Sequence, residues 1–68
     1  MSADNGILIR KLRDGWWVAY GFASDDCWGN AEFMRKGTRY NTREAALVAA
    51  HNMAKDYTIL EYGVSEVE

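Results

Sequence analysis

Gly6 to Phe22 reads GILIRKLRDGWWVAYGF, and this stretch decides the fold. Two strand-like runs, Gly6 to Arg13 and Trp16 to Phe22, are rich in β-branched and aromatic residues and are joined by Asp14-Gly15. That pair supplies the positive φ angles of a type I′ hairpin turn. With Asp14-Gly15 as the loop, facing residues have numbers summing to 29: Arg13 meets Trp16, Lys11 meets Val18, Ile9 meets Tyr20 and Ile7 meets Phe22. The other face carries Leu8, Arg10, Leu12, Trp17, Ala19 and Gly21. The first face is the more apolar away from the turn and is expected to hold the core. Trp17, Leu12 and Leu8 are then left exposed around Arg10.

Downstream, Ala23 to Ala31 (ASDDCWGNA) is polar, with Gly29 and Asn30, and reads as a loop. Glu32 to Lys36 (EFMRK) reads as a short third strand, with Gly37 as a breaker before Thr38 to Tyr40. Asn41-Thr42-Arg43-Glu44 has a capping residue followed three positions later by a glutamate, with Tyr40 at the staple position before it, so a helix starts there. At 100° per residue Ala46, Ala50, Met53 and Tyr57 share one face, flanked by Leu47, Ala49 and Ala54. Glu44, His51, Asn52 and Lys55 group opposite, Val48 falls on the polar side, and the helix is expected to end near Asp56. Thr58 to Val64 (TILEYGV) is β-rich and reads as a last strand before a short acidic tail, Ser65 to Glu68. The fold class that follows is a single α+β domain over residues 1–68, in the order ββ(β)αβ.

Sixty-eight residues leave room for one thin core, and a hydrophobic fraction of 49% is what lets so short a chain fold. Cys27 is the only cysteine, which excludes an intrachain disulfide and a thiolate metal cluster and points to a reducing, cytoplasmic setting. The start MSADNGILIRKLRDG lacks a basic segment followed by a long apolar run, and no stretch reaches the apolar length of a membrane span. Ten acids against eight bases give a net charge of −2, which disfavours sequence-independent binding to phosphate backbones.

Cys27 and His51 are the sole candidates for a nucleophile and base, and no local signature surrounds either. Asp25, Asp26, Asn30 and Glu32 carry hard oxygen ligands but not the D-x-[DN]-x-[DN]-G spacing of a calcium loop, so no metal or cofactor is expected. Arg10, Lys11, Arg13, Arg35, Lys36, Arg39 and Arg43 interleave with Trp16, Trp17, Phe33 and Tyr40, a mixture able to grip single-stranded nucleic acid. The acids make the opposite pattern. Asp25, Asp26 and Glu32 cluster in one loop around Trp28, and Asp56, Glu61, Glu66 and Glu68 lie near the end of the chain. Carboxylates presented with tryptophan can compete with a polyanion for a basic groove, as a DNA mimic does. Asp25, Asp26, Trp28 and Glu32 are therefore the expected partner-binding residues, with Trp17 on the hairpin's second face as a further anchor.

The opening Asp4-Asn5-Gly6-Ile7-Leu8-Ile9, the helix start Tyr40-Asn41-Thr42-Arg43-Glu44-Ala45-Ala46 and the close Leu60-Glu61-Tyr62-Gly63-Val64 resemble small proteins of phages and prophages. Residues 23–36 depart from that pattern and are where a distinct function is expected. Size, the acidic loop and the phage-like ends also resemble the anti-CRISPR inhibitors, in particular those directed at a type I effector complex. The resemblance implies a stoichiometric blocker that occupies the nucleic-acid site of a Cas subunit without turnover, and the exposed apolar residues are compatible with a monomer or weak homodimer. It transfers no role to any residue. The rival expectation is a small nucleic-acid-binding accessory protein that uses the basic and aromatic sheet face.

Overall fold

The computed structural model describes Asp4 to Val67. Met1 to Ala3, which open the leader reading, and Glu68 of the expected tail lie outside the described residues. The elements are β1 (Asn5–Leu12), β2 (Gly15–Phe22), α1 (Ala31–Met34), β3 (Thr38–Tyr40), α2 (Arg43–Ala54) and β4 (Val64–Val67). They make a four-stranded mixed sheet in the order β3-β2-β1-β4, parallel only between β1 and β4. The domain is α+β, as the patterning predicts.

The hairpin forms with a register two residues away from the expected one. Leu12 pairs with Gly15, Ile9 with Val18 and Ile7 with Tyr20, so Arg13 and Asp14 make the turn. A shift of two leaves every side chain on its expected face, because the strand period is two. What it changes is the partner: Ile9 and Val18, both fully buried, now sit opposite each other. Gly15 is the first residue of β2, with φ +144°, and a Cβ there would lie 2.9 Å from the Tyr40 carbonyl on β3. Its glycine therefore serves strand contact rather than a type I′ turn.

The first face is covered by α2. Ile7, Ile9, Val18, Ala46 and Ala50 are fully buried there, ringed by Trp16, Tyr20, Tyr40, Leu47, Met53, Tyr57, Leu60 and Val64. The alanine stripe lets the helix approach the sheet closely, and Val48 stands exposed on its outer side, as the helical period predicts. The cap is Thr42 rather than Asn41: Thr42 is extended and its Oγ1 accepts from the Ala45 N–H at 3.1 Å. Asn41 instead accepts from Arg39 at 3.2 Å. Glu44 thus falls one position short of a capping box but still lies in the first turn, where the helix dipole favours an acid.

The second face is not exposed. Leu8, Ala19, Phe33 and Met34 are buried in a second cluster with Leu12, Trp17, Cys27, Trp28 and Val67 around them. The cover is residues 23–37, and Glu32 to Lys36 contribute not a strand but the end of α1 and a turn. A strand would send the adjacent Phe33 and Met34 to opposite sides, whereas one helical turn buries both. Gly37 closes the segment onto β2; a Cβ on it would fall 1.9 Å from the Val18 carbonyl oxygen.

Thr58 to Gly63 is likewise a turn region, and the last strand, Val64–Val67, begins at the last residue of the expected strand and runs through the expected tail. Asn5 explains the difference. Its side-chain N–H groups donate to the Ile59 carbonyl at 2.9 Å and the Tyr20 hydroxyl at 3.1 Å, its side-chain oxygen accepts from the Glu61 N–H at 3.1 Å, and its carbonyl accepts from the Tyr62 N–H at 2.9 Å. This β-rich run satisfies its backbone on one buried asparagine instead of on a ladder.

Candidate partner-binding surface

The acidic loop is a run of tight turns. Asp25 N–H donates to the Phe22 carbonyl at 2.9 Å, Trp28 N–H to the Asp25 carbonyl at 3.0 Å and Asn30 N–H to the Cys27 carbonyl at 2.9 Å. One Asp25 carboxylate oxygen accepts from the Cys27 N–H at 2.9 Å, so the side chain also shapes the turn. Asp4 ties the loop to the start of the sheet, its carboxylate accepting from the Ser24 N–H at 2.9 Å. Asp25 and Asp26 remain exposed.

Trp28 is half-buried and acts as part of the second core. Its ring meets Phe33 edge-on at 5.1 Å and tilts toward Tyr62 at 6.5 Å. Glu32, exposed, accepts from the Cys27 thiol at 3.2 Å. That hydrogen bond, then partial burial, then the Glu32 and Asp25 charges push the Cys27 thiol above its usual range. The thiol is therefore protonated at neutral pH. Cys27 packs with the second cluster, while His51 is exposed on the helix that covers the first face, so the two residues lie on opposite sides of the sheet.

Trp17 is brought elsewhere. It lies near the hairpin turn, opposite Arg10 on β1, where its indole N–H donates to Asp14 Oδ1 at 3.1 Å. Arg35 stands over the ring at 5.3 Å and pairs with Asp14 at 3.3 Å. The indole bond foremost, then Arg35, holds the Asp14 carboxyl below the usual range against the opposing effect of desolvation. The five expected residues thus form two groups, Asp25, Asp26, Trp28 and Glu32 in the loop and the α1 that follows it, and Trp17 near the turn.

A feature that the sequence reading missed joins the first group. Phe22, Ile59 and Tyr62 are 49%, 64% and 52% exposed, and all three lie around Asn5 at the end of the sheet away from the hairpin turn. Tyr20 stacks on Tyr57 at 4.3 Å and meets Phe22 edge-on at 5.8 Å, extending the aromatic surface. Asp4, Asp25, Asp26 and Glu61 belong to the same end, while Lys11, Arg13, Arg35 and Arg39 gather around Asp14 at the turn end. The ends of β1 are about 23 Å apart at 3.3 Å per residue. The small net charge therefore conceals an uneven distribution, with acids concentrated at the Asn5 end and bases outnumbering Asp14 at the turn. The signal in the sequence was Phe22 closing β2 directly before the acidic loop, with Tyr62 and Ile59 flanking Glu61.

Among the described residues no group of three or more acids, histidines or cysteines is placed to hold a metal ion, and no helix is long and apolar enough to cross a membrane. No protein family matches the chain, and neither a characterised protein nor a solved structure matches it.

Proposed function

We propose that this chain is a non-enzymatic binding protein whose acidic, aromatic end docks on the basic nucleic-acid-binding surface of a host protein and blocks it. The observation that carries this reading is the gathering of Asp4, Asp25, Asp26 and Glu61 with exposed Phe22, Ile59 and Tyr62 at one end of the sheet. Carboxylates there give steering and charge complementarity, and the aromatic side chains give area that a partner can desolvate. The resemblance to anti-CRISPR inhibitors supplies the specific partner: a Cas subunit of a type I effector complex, met in the host cytoplasm. The basic and aromatic sheet face of the rival reading is largely engaged within the chain, since Arg35 and Arg39 both bond to Asp14 and α1 packs over that side.

The test begins with tagged protein recovered from a host lysate, followed by association kinetics against the captured subunit. Asp25→Lys with Asp26→Lys is expected to slow association, most strongly at low ionic strength where screening is weakest, and Phe22→Ala to speed dissociation. Added target DNA should compete. Rates that neither variant changes, or recovery of nucleic acid that is lost at high salt in place of a protein, would overturn the reading.

A further inference from the structure

The loop face is left open beside the edge strand. Leu8, Arg10, Trp28, Gly29, Asn30 and Val67 line a groove of about 440 Å³ there. The parallel register sets Val67 next to Arg10 and Ser65 next to Leu8 on that face, so an apolar floor adjoins a cation. One Arg10 nitrogen donates to the Gly29 carbonyl at 2.7 Å. A guanidinium has further N–H donors on the same rigid fork, so this bond orients the group and leaves donors for an acceptor. Among the described residues, Arg10 takes part in no ion pair.

The backbone beside the groove is also unmatched. Among the described residues, β4 is an edge strand, bordered only by β1. The bond from Ile7 N–H to the Gly63 carbonyl, with Ile7 facing Val64, fixes the phase of the parallel ladder. Gly63, Ser65 and Val67 turn their polar groups toward β1, and Val64 and Glu66 turn theirs outward. An outward-facing strand edge, a pocket for an alternate side chain and an oriented cation together are the elements of recognition by strand addition.

We propose that the outer edge of β4 and the Arg10 groove take an extended segment of a partner protein by strand addition. An apolar side chain of that segment fills the groove, and a carboxylate two residues along pairs with Arg10. The occupant is an acid-bearing strand because the groove's one charge is positive. A second copy of this chain fits less well: the acid of its own β4, Glu66, is already held by Arg43 at 2.9 and 2.7 Å. A four-residue edge also buries far less than the roughly 1,200 Å² of a stable interface. This site shares Trp28 with the acidic end but is opposite to it in charge, and stands whether or not that reading holds.

The experiment is a titration of the ¹⁵N-labelled full chain with the peptide acetyl-Thr-Leu-Thr-Glu-Thr-Leu-Thr-amide, whose leucines and glutamate share one face of an extended strand. Saturable shifts are expected at the Val64 and Glu66 amides and at the Trp28 indole N–H. Affinity should fall about tenfold when the peptide glutamate becomes glutamine, and again for Arg10→Gln in the protein, as for loss of a charge-assisted pair. N-methylation of alternate peptide residues should abolish binding in one phase and spare it in the other. The proposal is overturned by an absence of saturable shifts at β4 with millimolar peptide, by equal binding of the two methylated phases, or by indifference to both the glutamate and Arg10. Shifts at β4 that follow protein concentration without peptide would give the edge to a second copy instead.

Discussion

The helix-covered and loop-covered faces of the sheet bury similar side chains by different routes. On the first, α2 brings a periodic stripe that begins with Ala46 and Ala50, and its twelve residues carry their own cap and backbone ladder. On the second, the four residues of α1 have no side-chain cap, and Phe33 and Met34 stay in place only because Leu8, Ala19 and Trp28 receive them. A helix that short is not stable alone. The contrast teaches that the loop face is a core built by tertiary contact, and that its outward residues, Asp25, Asp26 and Glu32, stand on it rather than on local structure.

The largest expected effect tests whether the second face is a core at all. Phe33→Ala should cost about 3 kcal/mol, as much as Ile9→Ala on the first face, because both delete buried volume that neighbours cannot refill. Urea unfolding of the two variants measures this, and a Phe33→Ala cost under 1 kcal/mol would make the loop face an accessory layer. Gly15→Val should come next, at roughly 1–3 kcal/mol, since the left-handed-side φ strains a β-branched residue and its Cβ crowds the Tyr40 carbonyl. An unchanged melting temperature would contradict the observed register, on which both faces depend.

Thr42→Ala should remove about 1 kcal/mol through the lost cap, lowering α2 protection in hydrogen exchange more than that of α1. Equal loss in both helices would mean that the two faces are not separable. The smallest effect is on rate alone. Cys27 should react with iodoacetamide at pH 8 more slowly than in the urea-unfolded chain, and Glu32→Gln should speed the reaction, because the glutamate bond and charge disfavour the thiolate. Near neutral pH, below both thiol ranges, Cys27 should add no pH dependence to stability. The raised thiol affinity for its proton is a stabilising contribution present below the unfolded thiol's range and lost as pH rises through the folded one.

What was legible in the sequence follows the same division. The period of two in Gly6 to Phe22 and the 3.6 period after Thr42 gave both the α+β class and the correct side-chain faces, because each is a local property. The hairpin register was not legible from Asp14-Gly15, since Ile9 opposite Val18 outweighs a favourable turn pair. Glu32 to Lys36 and Thr58 to Val64 have strand-like composition, but the first is shaped by burial of Phe33 and Met34 and the second by Asn5, partners distant in sequence. For the candidate site, Asp25, Asp26, Trp28 and Glu32 lie within eight residues of one another, so their spacing alone brings them together. The separation of Trp17 from them, and the arrival of Ile59 and Tyr62 beside Phe22, required the tertiary fold.

The parallel pairing of β4 with β1 has a kinetic consequence. β1 and β2 are separated by a two-residue turn, and such a hairpin closes in about 1–10 μs. Val64 reaches Ile7 only after the chain between them has folded back, a closure whose entropy is offset late, when α2 is already docked. β4 is thus expected to join last and leave first, with amides that exchange in native-state hydrogen exchange through openings that leave the hairpin and α2 intact. An edge that detaches at low free energy can re-form against whichever strand is at hand.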